Sequence, residues 1–170
     1  FVMTTIIIPA SDENTDASGI VIPAPEPREP VIKNTYFWPD IDPVRIRELM
    51  RLEYVVTPER LREAIRMGIA ETNAELHLFR ERNIAAGYSC LAEVPAEKID
   101  GESEKCFHYL RAVSAFASAS VYERYRGYDA SAKGDRKADT VESTADTLWR
   151  DARWAVSRLE GRPKSIIGQI

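Results

Sequence analysis

The residues able to do chemistry in this chain are few and scattered. His77 and His108 fall in different predicted helices, and each reads as a surface or packing histidine rather than a base. Cys90 and Cys106 have no close third ligand, so they make no zinc site. As two thiols among ordinary surface and helix residues, they suit a reducing cytosol. No H-E-x-x-H pair and no EF-hand loop occurs. Glu71 and Glu75 lie one helical turn apart and read as a solvated face. Ser118 and Ser120 lack the G-x-S-x-G turn that would expose a nucleophile. The stretch from Gly127 to Asp135 superficially resembles a phosphate loop, but it lacks the G-K-[ST] ending and a preceding strand. With no clustered acid, base and nucleophile, an enzyme is the least supported class, and no cofactor or metal is expected.

Charge offers a different chemistry. Arg124, Arg126, Lys133, Arg136 and Lys137, interleaved with Tyr125 and Tyr128, form a basic and aromatic loop. Such a loop can touch a nucleic-acid backbone without reading bases, or dock on an acidic protein. A helical DNA-binding module acting through residues 124–137 is therefore the alternative function. It predicts tight, salt-sensitive DNA affinity for the free subunit. Against it stands the whole-chain balance of 23 Lys+Arg and 27 Asp+Glu, a formal net charge of −4. Charge is also uneven along the chain. Arg45–Arg66 carries six basic and four acidic residues, Glu71–Glu104 three and eight, and Glu123–Lys137 five and three. Segments of opposite sign can dock copies head-to-tail, and such contacts close into rings when the rotation permits. A normal mixed surface is the plainer reading of the charges alone.

Which elements must position these residues follows from proline. Seven of the ten prolines fall within the first 43 of 170 residues. Two short apolar runs stand there, Thr5-Ile6-Ile7-Ile8-Pro9 and Gly19-Ile20-Val21-Ile22-Pro23. β-Branched side chains favour extended backbone, and each closing proline blocks a helix. Polar residues Ser11–Ser18 separate the runs, and the alternating prolines of Pro23–Pro30 form a semi-rigid extended spacer. Two short strands cannot make a core alone, so the runs need a partner. The aromatic cluster Tyr36-Phe37-Trp38 reads as an anchor clamping this segment onto the body, or as a partner hot spot.

Helical signals begin at Asp42-Pro43, where a capping side chain precedes a proline suited to the first helical position. This first helix is expected to run through Leu49, Met50 and Leu52 to about Tyr54. Thr57-Pro58 opens a second in the same manner, with a stripe of Leu61, Ile65, Ile69, Leu76 and Phe79, filled in by Ala64 and Thr72 and ended by Gly87. Cys90–Ile99 reads as a connection with Leu91, Val94 and Ile99 turned inward. A third helix is expected from about Asp100-Gly101-Glu102. Its middle, Ser114–Ser120, is almost all small, which lets a neighbour come close and suggests the central helix. A fourth, from about Asp139 to Glu160, shows Val141, Ala145, Leu148, Ala152, Ala155, Val156 and Leu159, then stops at Gly161 and Pro163. The expected fold is all-α: a bundle of about four helices over 42–161, an extended N-terminal arm over 1–41 and a short tail over 162–170. Hydrophobic residues at 44% suffice for a core, and no apolar run approaches the ~18 residues of a membrane span. Phe1-Val2 precede Met3, which is a candidate start; the intact mass of the native protein decides it.

Several long stretches also resemble one family. The run from Glu29 to Pro43, Arg60–Ile65, Ala70–Leu76, Ile99–Ser103, Tyr122–Asp135 and Leu148–Val156 are collinear with the head completion protein (gpL) of contractile-tailed temperate bacteriophages. The resemblance covers nearly the whole chain from Glu29 onward; the opening Phe1-Val2 departs from it. It implies a structural, non-enzymatic virion protein, made in the bacterial host cytoplasm and located in the neck. Such proteins join the capsid vertex after DNA packaging, bind beneath the portal as a ring, stabilise the filled head and carry later neck and tail proteins. Related adaptors are helical bundles around the DNA channel, usually twelvefold. The implied partners are further copies in a dodecameric ring, the portal protein, a neck or tail terminator protein, and channel DNA without sequence readout, with no membrane. From related adaptors, rather than a matched motif, the tail Ser165, Ile166, Ile167, Gly168, Gln169 and Ile170 is the expected portal contact. Ile6, Ile7, Ile8, Ile20, Val21 and Ile22, with Tyr36, Phe37 and Trp38, are the expected arm contacts to neighbour or portal.

Overall fold

The computed structural model describes residues 29–50, 56–125 and 134–162, with side chains at all of these except 125 and 134–143. The described chain is mostly helical, with one small two-stranded sheet that the sequence reading does not place. Helix α1 spans Pro43–Leu49, α2 Pro58–Glu75, α3 His77–Ala85, α4 Glu104–Tyr125 and α5 Gly134–Leu159. A 3₁₀ turn at Leu91–Glu93 and strands β1 (Lys98–Ile99) and β2 (Glu102–Ser103) connect α3 to α4.

The caps form where the side chains dictate. The Asp42 carboxylate accepts from the Val44 amide at 3.0 Å, with Pro43 at the first helical position. Thr57 Oγ1 accepts from the Arg60 amide at the start of α2, again before a proline. Gly87 ends α3 at φ +97, with the Tyr88 amide bonded to the Asn83 carbonyl and the Gly87 amide to that of Ile84. Gly161 closes α5 with the same pair of bonds, from Arg162 to Ser157 and from Gly161 to Arg158.

Five expectations change. Helix α1 ends at Leu49, with Met50 as its cap; Leu52 and Tyr54 lie outside the described residues. The expected second helix divides at Leu76 into α2 and α3. Ile99 does not turn inward: it is 56% exposed, because it sits on a two-residue strand. Asp100-Gly101 does not open a helix. Both residues have positive φ, 52° and 76°, and form the turn that pairs Ile99 with Glu102, so α4 begins at Glu104. Helix α5 also starts earlier than expected, at Gly134.

Helix α4 is the centre, flanked by α2 and α5. Its small run makes this possible. A Cβ built on Gly68 of α2 would stand 2.6 Å from the Val113 carbonyl oxygen and 3.2 Å from the Ala117 amide nitrogen, so the two backbones meet almost directly. Leu61, Ile65, Ile69, Leu76, Val113, Phe116, Ala152, Val156 and Leu159 fill one core with Ile32, Phe37, Trp38 and Ile41. A smaller cluster of Tyr122, Ala145 and Leu148 lies toward the far end of α4.

Candidate assembly surfaces

The aromatic triplet divides by position. Tyr36 is 66% exposed, while Phe37 and Trp38 are 3% and 6% exposed. Phe37 holds φ +86, a left-handed conformation that costs a bulky residue about 1–2 kcal/mol. Surrounding contacts hold it there. Its carbonyl accepts from the Leu91 amide at 2.9 Å, and its ring meets Trp38 edge-on at 5.0 Å. Trp38 stacks on Tyr109 of α4 with centroids 4.9 Å apart. Ile32 and Ile41 exchange backbone hydrogen bonds of 2.8 and 3.0 Å, closing residues 32–41 into a loop that carries these rings.

Beneath Trp38 lies a polar triangle that sequence reasoning misses. Asn34 Nδ2 donates to the Tyr109 hydroxyl at 2.8 Å. That hydroxyl donates to Asn73 Oδ1 at 2.6 Å, and Asn73 Nδ2 donates to Asn34 Oδ1 at 3.1 Å. The cycle ties the loop to α2 and α4 at once. Tyr109 is fully buried, and burial pushes its phenol well above the ordinary value of 10.0. Only Tyr109 is visible in the sequence, as one more member of a helical stripe; two asparagines so far apart carry no mark of their meeting. At the rim, the Lys33 ammonium at 2.7 Å and the Asn34 amide hold the Asp40 carboxyl below its ordinary value.

The expected basic loop is not one described surface. Arg124 is exposed near the end of α4, beside Glu123, which accepts from Trp149 Nε1 at 2.6 Å. Arg136 and Lys137 belong to the start of α5 rather than to a loop, because that helix begins at Gly134. Their side chains, and Arg126 and Lys133 altogether, lie outside the described residues. So do Ile6, Ile7, Ile8, Ile20, Val21 and Ile22 of the arm and the whole of Ser165–Ile170.

The outer face of α5 adds a surface that the apolar stripe does not mark. The Arg150 guanidinium lies 5.1 Å from the centroid of the half-exposed Trp154 ring. With Asp146, Trp149 and Arg153 these residues line a shallow pocket of about 470 Å³. Tryptophan and arginine are enriched at the residues that carry most of the energy of protein–protein contacts: the indole buries a large rigid surface, and the guanidinium offers a planar fork of donors.

The reactive groups are quiet. Burial pushes the Cys106 thiol up, against thiolate formation. Ser118 Oγ donates to the Ser114 carbonyl at 2.8 Å within its own helix. Burial lowers the His108 pKa, opposed by its Glu104 contact at 3.3 Å. Partial burial raises the Glu75 carboxyl, against the pull of Arg153. Among the described residues no group of three or more His, Cys, Asp or Glu is placed to hold a metal ion, and no helix is long and apolar enough to cross a membrane.

Among the described residues, polar side chains spent on caps, ties and ion pairs stand beside exposed aromatic and arginine surface on a helical scaffold. The family is specific: residues 32–170 match the phage head completion protein (GPL) family, and the chain belongs to it. It is 62% identical over 169 residues to the head completion/stabilization protein of Escherichia phage P2, covering 99% of this chain and all of that one. This is a structural family of phage assembly, not one of enzymes. No solved structure matches the chain.

Proposed function

We propose that this chain forms a ring beneath the phage portal after DNA packaging, stabilises the filled head there and offers the platform for neck and tail. The observation that carries the reading is family membership together with identity along the whole length to the phage P2 protein. In this reading a helical bundle over 42–161 makes the ring wall, probing neighbours with exposed side chains such as Trp154. The ring is a dodecamer in the virion neck, with DNA in its channel and a neck or tail terminator protein below. The arm, through Ile6–Ile8, Ile20–Ile22 and Tyr36, clasps a neighbouring copy or the portal. The tail Ser165–Ile170 is the portal contact. An apolar strand of this kind adds to a sheet edge through main-chain hydrogen bonds while its side chains fill pockets.

Deleting Ser165–Ile170 tests the tail. The expected product keeps the circular dichroism of a helical protein and fails to complete heads in a complementation assay. Normal yields of infectious particles would refute the tail's role. The stoichiometry is read from symmetry-resolved images of assembled particles.

A further inference from the structure

A groove of about 490 Å³ runs between α1, α4 and α5. Leu49 and Met50 form its α1 wall, Phe107 and Leu110 stand on α4, and Leu148 closes it from α5. Ser114 and Ser118 form part of its floor, and Ser118 spends its hydroxyl on the Ser114 carbonyl, so apolar filling takes no partner from it. Leu49 and Phe107 are large apolar side chains left 55% and 40% exposed at its edge.

We propose that in the free subunit the isoleucine run Gly19–Pro23 seats in this chain's own groove, which narrows the arm's reach toward a partner from both runs to the distal run Thr5–Pro9. Three observations meet here. The first is tethering. Arg47 of α1 holds Glu29 at 2.8 Å, and Arg62 of α2 donates to the Pro30 carbonyl at 2.6 Å, so the described chain begins against α1. Leu49 and Met50 follow within a turn of Arg47. The spacer from Pro23 to Glu29, at ~3.1 Å per residue, reaches about 19 Å, more than the ~10–12 Å diameter of the helix it has to pass. A short tether raises the local concentration to roughly millimolar, so the chain's own run outcompetes another copy's in dilute solution. The second is length. Phe107 to Tyr122 on α4 is about 22 Å at ~1.5 Å per residue, and Gly19–Pro23 extended is about 16 Å at ~3.3 Å per residue. The third is charge. Residues 1–28 carry four carboxylates, Asp12, Glu13, Asp16 and Glu26, against Arg28 alone. The groove rim offers Arg111, and Arg45 already paired with Glu102 at 2.9 Å, beside Asp151. The polar stretch Ser11–Ser18 then separates two runs with two different tasks.

The test uses the full chain with p-benzoylphenylalanine in place of Phe107, irradiated in dilute solution as an equal mixture of ¹⁵N-labelled and unlabelled protein. The expected product is a cross-link within one chain, mapped by mass spectrometry to Gly19–Pro23. The double variant Ile20→Asp, Ile22→Asp should lower its yield at least tenfold, and Ile6→Asp, Ile8→Asp should change it less than twofold. A second probe at exposed Leu49 should give the same product, and circular dichroism checks that each protein is folded. Cross-links to Thr5–Pro9, mixed-isotope products between copies, or no arm cross-link would each overturn the proposal. Ring formation does not enter this measurement, so its outcome is separate from that of the ring reading.

Discussion

At Gly68 a single hydrogen in place of a side chain decides how closely two helices approach. A Cβ there would meet the Val113 carbonyl at 2.6 Å, and that neighbour is backbone, which cannot swing aside. Alanine is the better helix former by about 1 kcal/mol. The overpacking should outweigh this gain, so Gly68→Ala is expected to destabilise the protein by about 1–2 kcal/mol net. Urea unfolding checks it, and an unchanged midpoint would mean the helices part without cost. Half of this contact is legible in the sequence, because the run Ser114–Ser120 announces a close neighbour; which residue of α2 meets it depends on helix rotation, which the stripe of Leu61, Ile65 and Ile69 leaves too coarse. His108 yields a pH prediction. Burial places its folded pKa below 6.5, so between the two values the unfolded chain binds more protons. Its contribution is fully present above pH 6.5 and declines as pH falls toward the folded pKa. His108→Gln should therefore lose less stability than the parent protein between pH 7.5 and 5.5. Equal losses in urea melts at the two pH values would contradict that sign.

Elements with strong local signals are legible, and those fixed by a few backbone angles are not. Asp42-Pro43 and Thr57-Pro58 open helices because a capping oxygen and a preset φ act within four residues of each other. The interruption at Leu76 leaves no mark, since the ladder barely breaks: the Leu76 amide still reaches the Thr72 carbonyl and the Arg80 amide that of Leu76, both at 3.0 Å. Asp100-Gly101 is the instructive case. Aspartate before a helical stripe resembles a cap, yet the same dipeptide is also a strong signal for a two-residue hairpin turn. The strands it joins are two residues each, too short to show alternation. Gly101 needs φ +76, which a β-branched residue adopts only under strain. Gly101→Val is expected to lower stability by about 1–2 kcal/mol, read as a shift in the thermal midpoint. If the midpoint held, the hairpin would be only a loose connection and would not set where α4 begins.

The whole molecule is where a rival function is decided. Helices, caps and core follow from local chemistry, whereas exposed side chains such as Tyr36 and Trp154 name no partner. For that reason the function is legible through long collinear resemblance and not through any one motif. The basic stretch from Arg124 to Lys137 is the residue set on which a DNA-binding reading would rest, and the chain around it carries a net charge of −4. A protein that neutralises phosphates releases counterions, so its affinity falls with salt at a logarithmic slope of about −0.9 per phosphate contacted. Five engaged basic groups would give a slope of about −4.5 and binding well below micromolar at low salt. A subunit that meets DNA only inside an assembled ring needs neither. The free subunit is therefore expected to bind duplex DNA no more tightly than ordinary non-specific association, ~10⁻⁴ to 10⁻⁶ M near physiological salt. A fluorescence-anisotropy titration across salt concentrations measures both quantities. Submicromolar affinity with the steep slope, lost when Arg124, Arg126, Lys133, Arg136 and Lys137 are replaced by glutamine, would favour the DNA-binding module over the connector.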